Sequence, residues 1–133
     1  MAEAKAQAKY VPVSPLKVRR VVTLIRGKGL EEALAILQFT SGRAAAIVRK
    51  VVGSAGANAE NNHNINRDNL VVSTVFVDNG PSMRRLRAGS MSRAVIIRRR
   101  TSHITVVVSE REAAPVRRPA RHGREHGAEG TSA

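Results

Sequence analysis

Three features of the sequence predict an α+β fold. Apolar residues recur with helical spacing in three segments between residues 15 and 59. The pattern then changes to β-branched runs at 70–77 and 104–109. Between those runs lies a basic stretch, 78–105, carrying Arg84, Arg85, Arg87, Arg93, Arg98, Arg99 and Arg100 and no acid after Asp78. We read this stretch as a long hairpin arm aimed at something polyanionic, with the rest of the chain as its base. At 133 residues the chain suggests one domain.

Residues 1–4 are expected to fray, and 5–11 to form a short edge strand that Pro12 ends by removing a ladder donor. Ser14 is a good helix N-cap and Pro15 suits the first helical position. Val18, Val21, Val22 and Ile25 then make one apolar stripe, with Lys17, Arg19, Arg20 and Arg26 off it. Gly27 is placed to close this helix.

A second helix opens at Gly29 or Leu30 and repeats the pattern at Leu30, Ala33, Leu34 and Leu37. Glu31 and Glu32 fall in its first turn, where carboxylates favour the positive helix end. The link through Lys28 is short, so the two helices should meet as a corner or hairpin. Ser41 is a candidate N-cap for the third helix. Its stripe is Ala44, Ile47, Val48, Val51, Val52, Ala55 and Ala59, with Arg43, Arg49 and Lys50 away from it. Gly53 and Gly56 either permit a close backbone approach or are simply tolerated, at about 1 kcal/mol each against Ala. The stripe stops near Asn61.

In the second half, Asn79-Gly80-Pro81 interrupts the first strand and implies a bulge or bend rather than the end of the arm. Ile104, Val106 and Val108 alternate with Thr105, Val107 and Ser109 as in a half-buried strand. Residues 84–100 either extend both strands outward or form a large loop. They cannot fold alone, because Leu86, Met91, Val95, Ile96 and Ile97 are few and scattered. The domain is therefore placed at 1–110, including the hairpin. Residues 111–133, rich in Pro, Gly, Ala and Arg, are expected to be a tail that is disordered when free.

Composition limits the function. Net charge is +13, which suits a partner that neutralises it, nucleic acid first and an anionic membrane surface second. Aromatics are 2%, so base stacking cannot be the main binding mode. Without cysteine, disulfides and thiol chemistry are excluded. His63, His103, His122 and His126 lack metal-ligand spacing, and no serine has a base beside it. No apolar run approaches the roughly 18 residues of a membrane span. No catalytic residue, metal or cofactor is expected. Arginine exceeds lysine in the arm, and its planar fork of donors suits phosphate. A free architectural binder using the arm in a groove is the main rival, and it would be a dimer.

Four stretches resemble a known family, the L twenty-two proteins of the large ribosomal subunit. They are SPLKVRRVVTLIRGK at 14–28, SAGANAENN at 54–62, VDNGPSMRR at 77–85 and RTSHITVVV at 100–108. The resemblance implies three helices packed on a small antiparallel sheet with a long protruding β-hairpin. It implies a structural constituent of the large subunit, cytoplasmic and in the ribosome. The partners it implies are large-subunit (23S) ribosomal RNA, neighbouring large-subunit ribosomal proteins and the nascent peptide, with no membrane and no homo-oligomer.

The expected RNA contacts are Lys17, Arg19, Arg20, Arg26 and Lys28 on the body, and Arg84, Arg85, Arg87, Arg93, Arg98, Arg99, Arg100, Thr101, Ser102 and His103 on the arm. The tip, expected to face the peptide exit tunnel, comprises Leu86, Ala88, Gly89, Ser90, Met91, Ser92 and Ala94. Here the sequence departs from the family, whose turn usually reads Pro-Arg-Ala-x-Gly-Arg-Ala. The usual Pro is Ala88, the usual Arg is Gly89 and the usual Gly is Ser92.

Overall fold

The computed structural model describes residues 2–111, so the expected tail lies, apart from Arg111, outside the described residues. The chain runs β1 (Glu3–Val11), α1 (Pro15–Ile25), α2 (Leu30–Phe39), α3 (Arg43–His63), β2 (Leu70–Asn79), β3 (Met83–Ala88), β4 (Ala94–Arg99) and β5 (Ser102–Glu110). Strands β1, β5 and β2 form an antiparallel sheet in that order, and β3 and β4 form a second sheet of their own. This is the expected α+β fold, three helices on a small sheet with a hairpin arm.

The alternation of the strands sets the core. Ala4 and Ala6, Val72, Val75 and Val77, and Ile104, Val106 and Val108 are buried on one face. The helices cover that face with Val18, Val22 and Ile25 of α1, Leu30, Ala33 and Leu37 of α2, and Val48, Val52, Ala55 and Ala59 of α3. Small residues on β1 let α3 lie close to the strand, and Asn58 donates from Nδ2 to the Lys5 carbonyl at 3.1 Å. Each fully buried Val, Leu or Ile contributes about 1.5–3 kcal/mol.

The helix ends differ in detail from expectation. Ser14 does occupy the N-cap of α1, but its side chain makes no capping bond; its carbonyl accepts from the Lys17 and Val18 N–H groups. Gly27, at φ +75°, closes α1 as predicted. Its N–H donates to Val72 O at 3.0 Å, Val72 N–H returns to Lys28 O at 2.9 Å, and Gly29 bridges Val71. The short α1–α2 link thus covers part of the free edge of β2.

Ser41 does not cap α3. Gly42 does, at φ +117°, a value that a side chain would resist. The far end of α3 runs two residues past Asn61 to His63 and closes on Asn64 in the left-handed region. Residues 3 and 4 are not frayed. They continue the ladder opposite Ser109 and Val108, because Ala4 is an inward-facing core residue.

Gly56 resolves the alternative posed for the two helix glycines. A Cβ there would lie 2.7 Å from Leu30 Cδ2, so the close neighbour is the buried Leu30 side chain of α2 rather than a backbone. A Cβ at Gly53 would meet nothing within 4 Å, so that glycine is simply tolerated.

Candidate nucleic-acid interface

The arm is built outward from a tight root. After Asn79 the chain breaks its ladder at Gly80 and Pro81, as the sequence implies, and resumes as β3. Gly80 N–H donates to the Thr101 carbonyl at 2.9 Å, and the Thr101 hydroxyl donates to the Pro81 carbonyl at 2.6 Å. Beyond this clamp the strands continue outward, so 84–100 is an extended hairpin and not a large loop. Every side chain of β3 is exposed, and in β4 only Ile97 is half-buried. An isolated two-stranded ribbon is marginally stable in water, so this arm needs a surface to lie against.

The register gives the arm two unlike faces. Met83, Arg85 and Arg87 oppose Arg99, Ile97 and Val95, so each cross-strand pair joins an arginine to an aliphatic side chain. On the other face Arg84 directly opposes Arg98, and then Leu86 opposes Ile96 and Ala88 opposes Ala94. The Arg84–Arg98 pair places like charges side by side, which favours an anion between them. Towards the tip that face becomes apolar, with Leu86 78% exposed. The tip turns over through Ser90, Met91 and Ser92. Met91 and Ser92 both sit at φ +58°, and Gly89 N–H donates to Arg93 O at 2.7 Å. Met91 is 89% exposed, at the outermost turn.

On the body, the expected basic residues divide into two kinds. Lys17 and Arg20 are exposed on α1 and stand close to the arm's root. Arg19 donates to the Val77 carbonyl at 3.2 Å, and Arg26 to the Val75 carbonyl at 2.9 Å. These two arginines tie α1 to β2 with part of their donor fork and remain exposed with the rest. Lys28 is paired with Glu32 at 3.3 Å, so one cation of this cluster has a balancing acid.

Three more of the expected RNA contacts lie at the base of the arm. Thr101 and Ser102 are buried, at 5% and 0% exposure. The Thr101 hydroxyl is taken up by Pro81, and Ser102 is packed between Val11 and Asn79 on the neighbouring strands. Neither side chain is at the surface of the described residues, and both pack into the root of the arm. His103 is half-buried. Its Nδ1 accepts the Tyr10 N–H at 3.0 Å, and the two rings meet edge to face at 5.0 Å. Tyr10 itself, at φ +57° and 65% exposed, is a surface feature that strand periodicity had no means of marking.

No helix of the described residues is long and apolar enough to cross a membrane. Among the same residues, no three His, Cys, Asp or Glu side chains are grouped to hold a metal ion.

The sequence profile of the family described as ribosomal protein L22p/L17e matches residues 6–109. Among curated relatives, the large ribosomal subunit protein uL22 of Desulforamulus reducens is 61% identical over 110 residues, 83% of this chain and 97% of the relative. The protein of the same description from Thermoanaerobacter sp. (strain X514) is 59% identical over 83% of this chain and 99% of its own length. That from Clostridioides difficile (strain 630) is 53% identical over the same shares. The matched span takes in all three helices, the clamp at Gly80 and Thr101, and the whole arm. The chain therefore belongs to the ribosomal protein L22p/L17e family and is a structural, non-enzymatic component of the large ribosomal subunit.

Proposed function

We propose that this protein binds large-subunit ribosomal RNA with its body and sends the arm through that RNA, so that the tip lines the peptide exit tunnel. The observation that carries the reading is the arm itself. It is a two-stranded ribbon with no core, arginines on both faces and no acid along its length. Such an element lowers its free energy only when phosphates surround it. Arg84, Arg85, Arg98, Arg99 and Arg100 neutralise phosphates along the shaft, and Arg87 and Arg93 do so near the tip. On the body, Lys17 and Arg20 bind with all their donors, and Arg19, Arg26 and Lys28 with those left by their internal partners. Recognition is by the shape and backbone of folded RNA rather than by reading base edges.

The charge pattern suits the tip to a second surface. Leu86, Ala88, Ala94 and Ile96 form an uncharged face next to the exposed Met91 turn, where a passing nascent peptide is met by small and aliphatic groups. The protein acts as a monomer among neighbouring large-subunit proteins in the cytoplasmic ribosome. Outward-facing Lys5 and Lys9 on edge strand β1 discourage pairing with a second copy. The test is a crosslink. A photoreactive group at a Met91→Cys substitution, in assembled ribosomes, should capture nascent chains. Capture confined to surface proteins of the subunit would contradict the tunnel placement.

A further inference from the structure

The body and the arm meet across a groove of about 960 Å³. The start of α1 and the first turn of α3 form one wall, and Met83 with the end of β4 forms the other. Its cations come from three separate places in the sequence. Lys17 and Arg20 belong to α1, Arg43 to α3, and Arg98, Arg99 and Arg100 to the returning side of the arm. No acidic residue lines it among the described residues, and none of these six cations is in an ion pair there.

The contrast with other hollows on the same surface is informative. One sets Glu31, Glu60 and Asp68 beside Arg67, and another sets Glu31 beside Arg49 and Lys50. Of these three hollows among the described residues, the groove at the arm's root alone is lined by cations without an acid, the arrangement that focuses a field on an anion. The N-termini of α1 and α3 both open here with no acid in the first turn and no side-chain cap, which adds to the same field.

We propose that this groove holds a bend of RNA sugar–phosphate backbone, with Arg43 as a phosphate ligand, and that the bound backbone braces the arm against the body. A polyanion fits better than a single anion, because six cations from both walls line the groove and one phosphate leaves most of that charge unneutralised. The brace has a structural motive. The two sheets share no ladder, and the root is held by Gly80, Pro81 and Thr101. The inference rests on the reading that the protein binds large-subunit ribosomal RNA.

The test measures binding of the full chain to protein-free large-subunit ribosomal RNA as a function of salt. Arg43→Ala should weaken binding by about tenfold. The slope of log affinity against log salt should become shallower by about one for each contact removed. Arg43→Lys should keep the slope. Arg49→Ala removes the same charge from the same helix outside the groove, and it should change little. An Arg43→Ala variant that matches the unsubstituted chain, or an Arg49→Ala variant that loses as much, overturns the groove and leaves the RNA reading in place. Absence of salt-dependent binding by the unsubstituted chain overturns the RNA reading and the groove with it.

Discussion

Gly80 and Thr101 hold the arm to the body with no room between them. A Cβ at residue 80 would press into the Thr101 hydroxyl and come within 3.2 Å of its carbonyl carbon. Gly80→Ala should therefore destabilise the protein by about 1–3 kcal/mol, measured by chemical unfolding. The tip has the opposite balance. Ser92 stands where the family usually has glycine, yet its backbone keeps the positive φ that glycine accepts freely. Ser92→Gly should favour the closed tip by about 1 kcal/mol. The readout is slower amide exchange at Gly89, whose N–H bonds Arg93 across the turn. The neighbouring departure behaves differently. A side chain at Gly89 would start 2.7 Å from Val95 Cγ2 and 3.1 Å from Arg93 O, so restoring the family's arginine there requires the Val95 side chain to rotate and the Arg93 carbonyl to give slightly.

At the scale of elements, α3 shows what periodicity can and cannot reveal. Its buried stripe follows from the spacing of Ala44, Val48, Val51, Val52, Ala55 and Ala59, because the helix has one face on the sheet. Gly53 and Gly56 gave no such signal, since a residue without a side chain has no preferred face. Only the position of Leu30 separates them. Gly56→Ala should cost about 1–3 kcal/mol, whereas Gly53→Ala should stabilise by roughly 0.5–1 kcal/mol; the two melting temperatures should move in opposite directions. The arm was legible for a related reason. Strand-forming runs on either side of an arginine-rich segment without acids leave few alternatives to an extended ribbon. The roles of Thr101 and Ser102 were not legible, because hydroxyls suit phosphate and a buried turn equally well. The capping of α3 by Gly42 was missed for its neighbour Ser41, whose hydroxyl is the commoner signal.

The whole molecule combines a small core of aliphatic side chains with an arm that contributes nothing to it. The two parts should therefore differ in local stability. In the free protein, amides of β5 should exchange near the rate of global unfolding, and those of β3 and β4 far faster. Binding to ribosomal RNA should protect the arm. Arginines donating to β2, a lysine paired with Glu32 and a groove with unpaired cations show that positive charge has several tasks here. Some of it builds the fold, and the remainder is left for a partner. The central claim is that the body anchors the protein in the large subunit while the arm extends from it. Sedimentation of cell extracts at physiological salt tests this most directly, with the full chain and a variant lacking 83–97. Both should travel with large subunits. A full chain that stays in the soluble fraction of growing cells, or a body that is released when the arm is removed, would contradict the account.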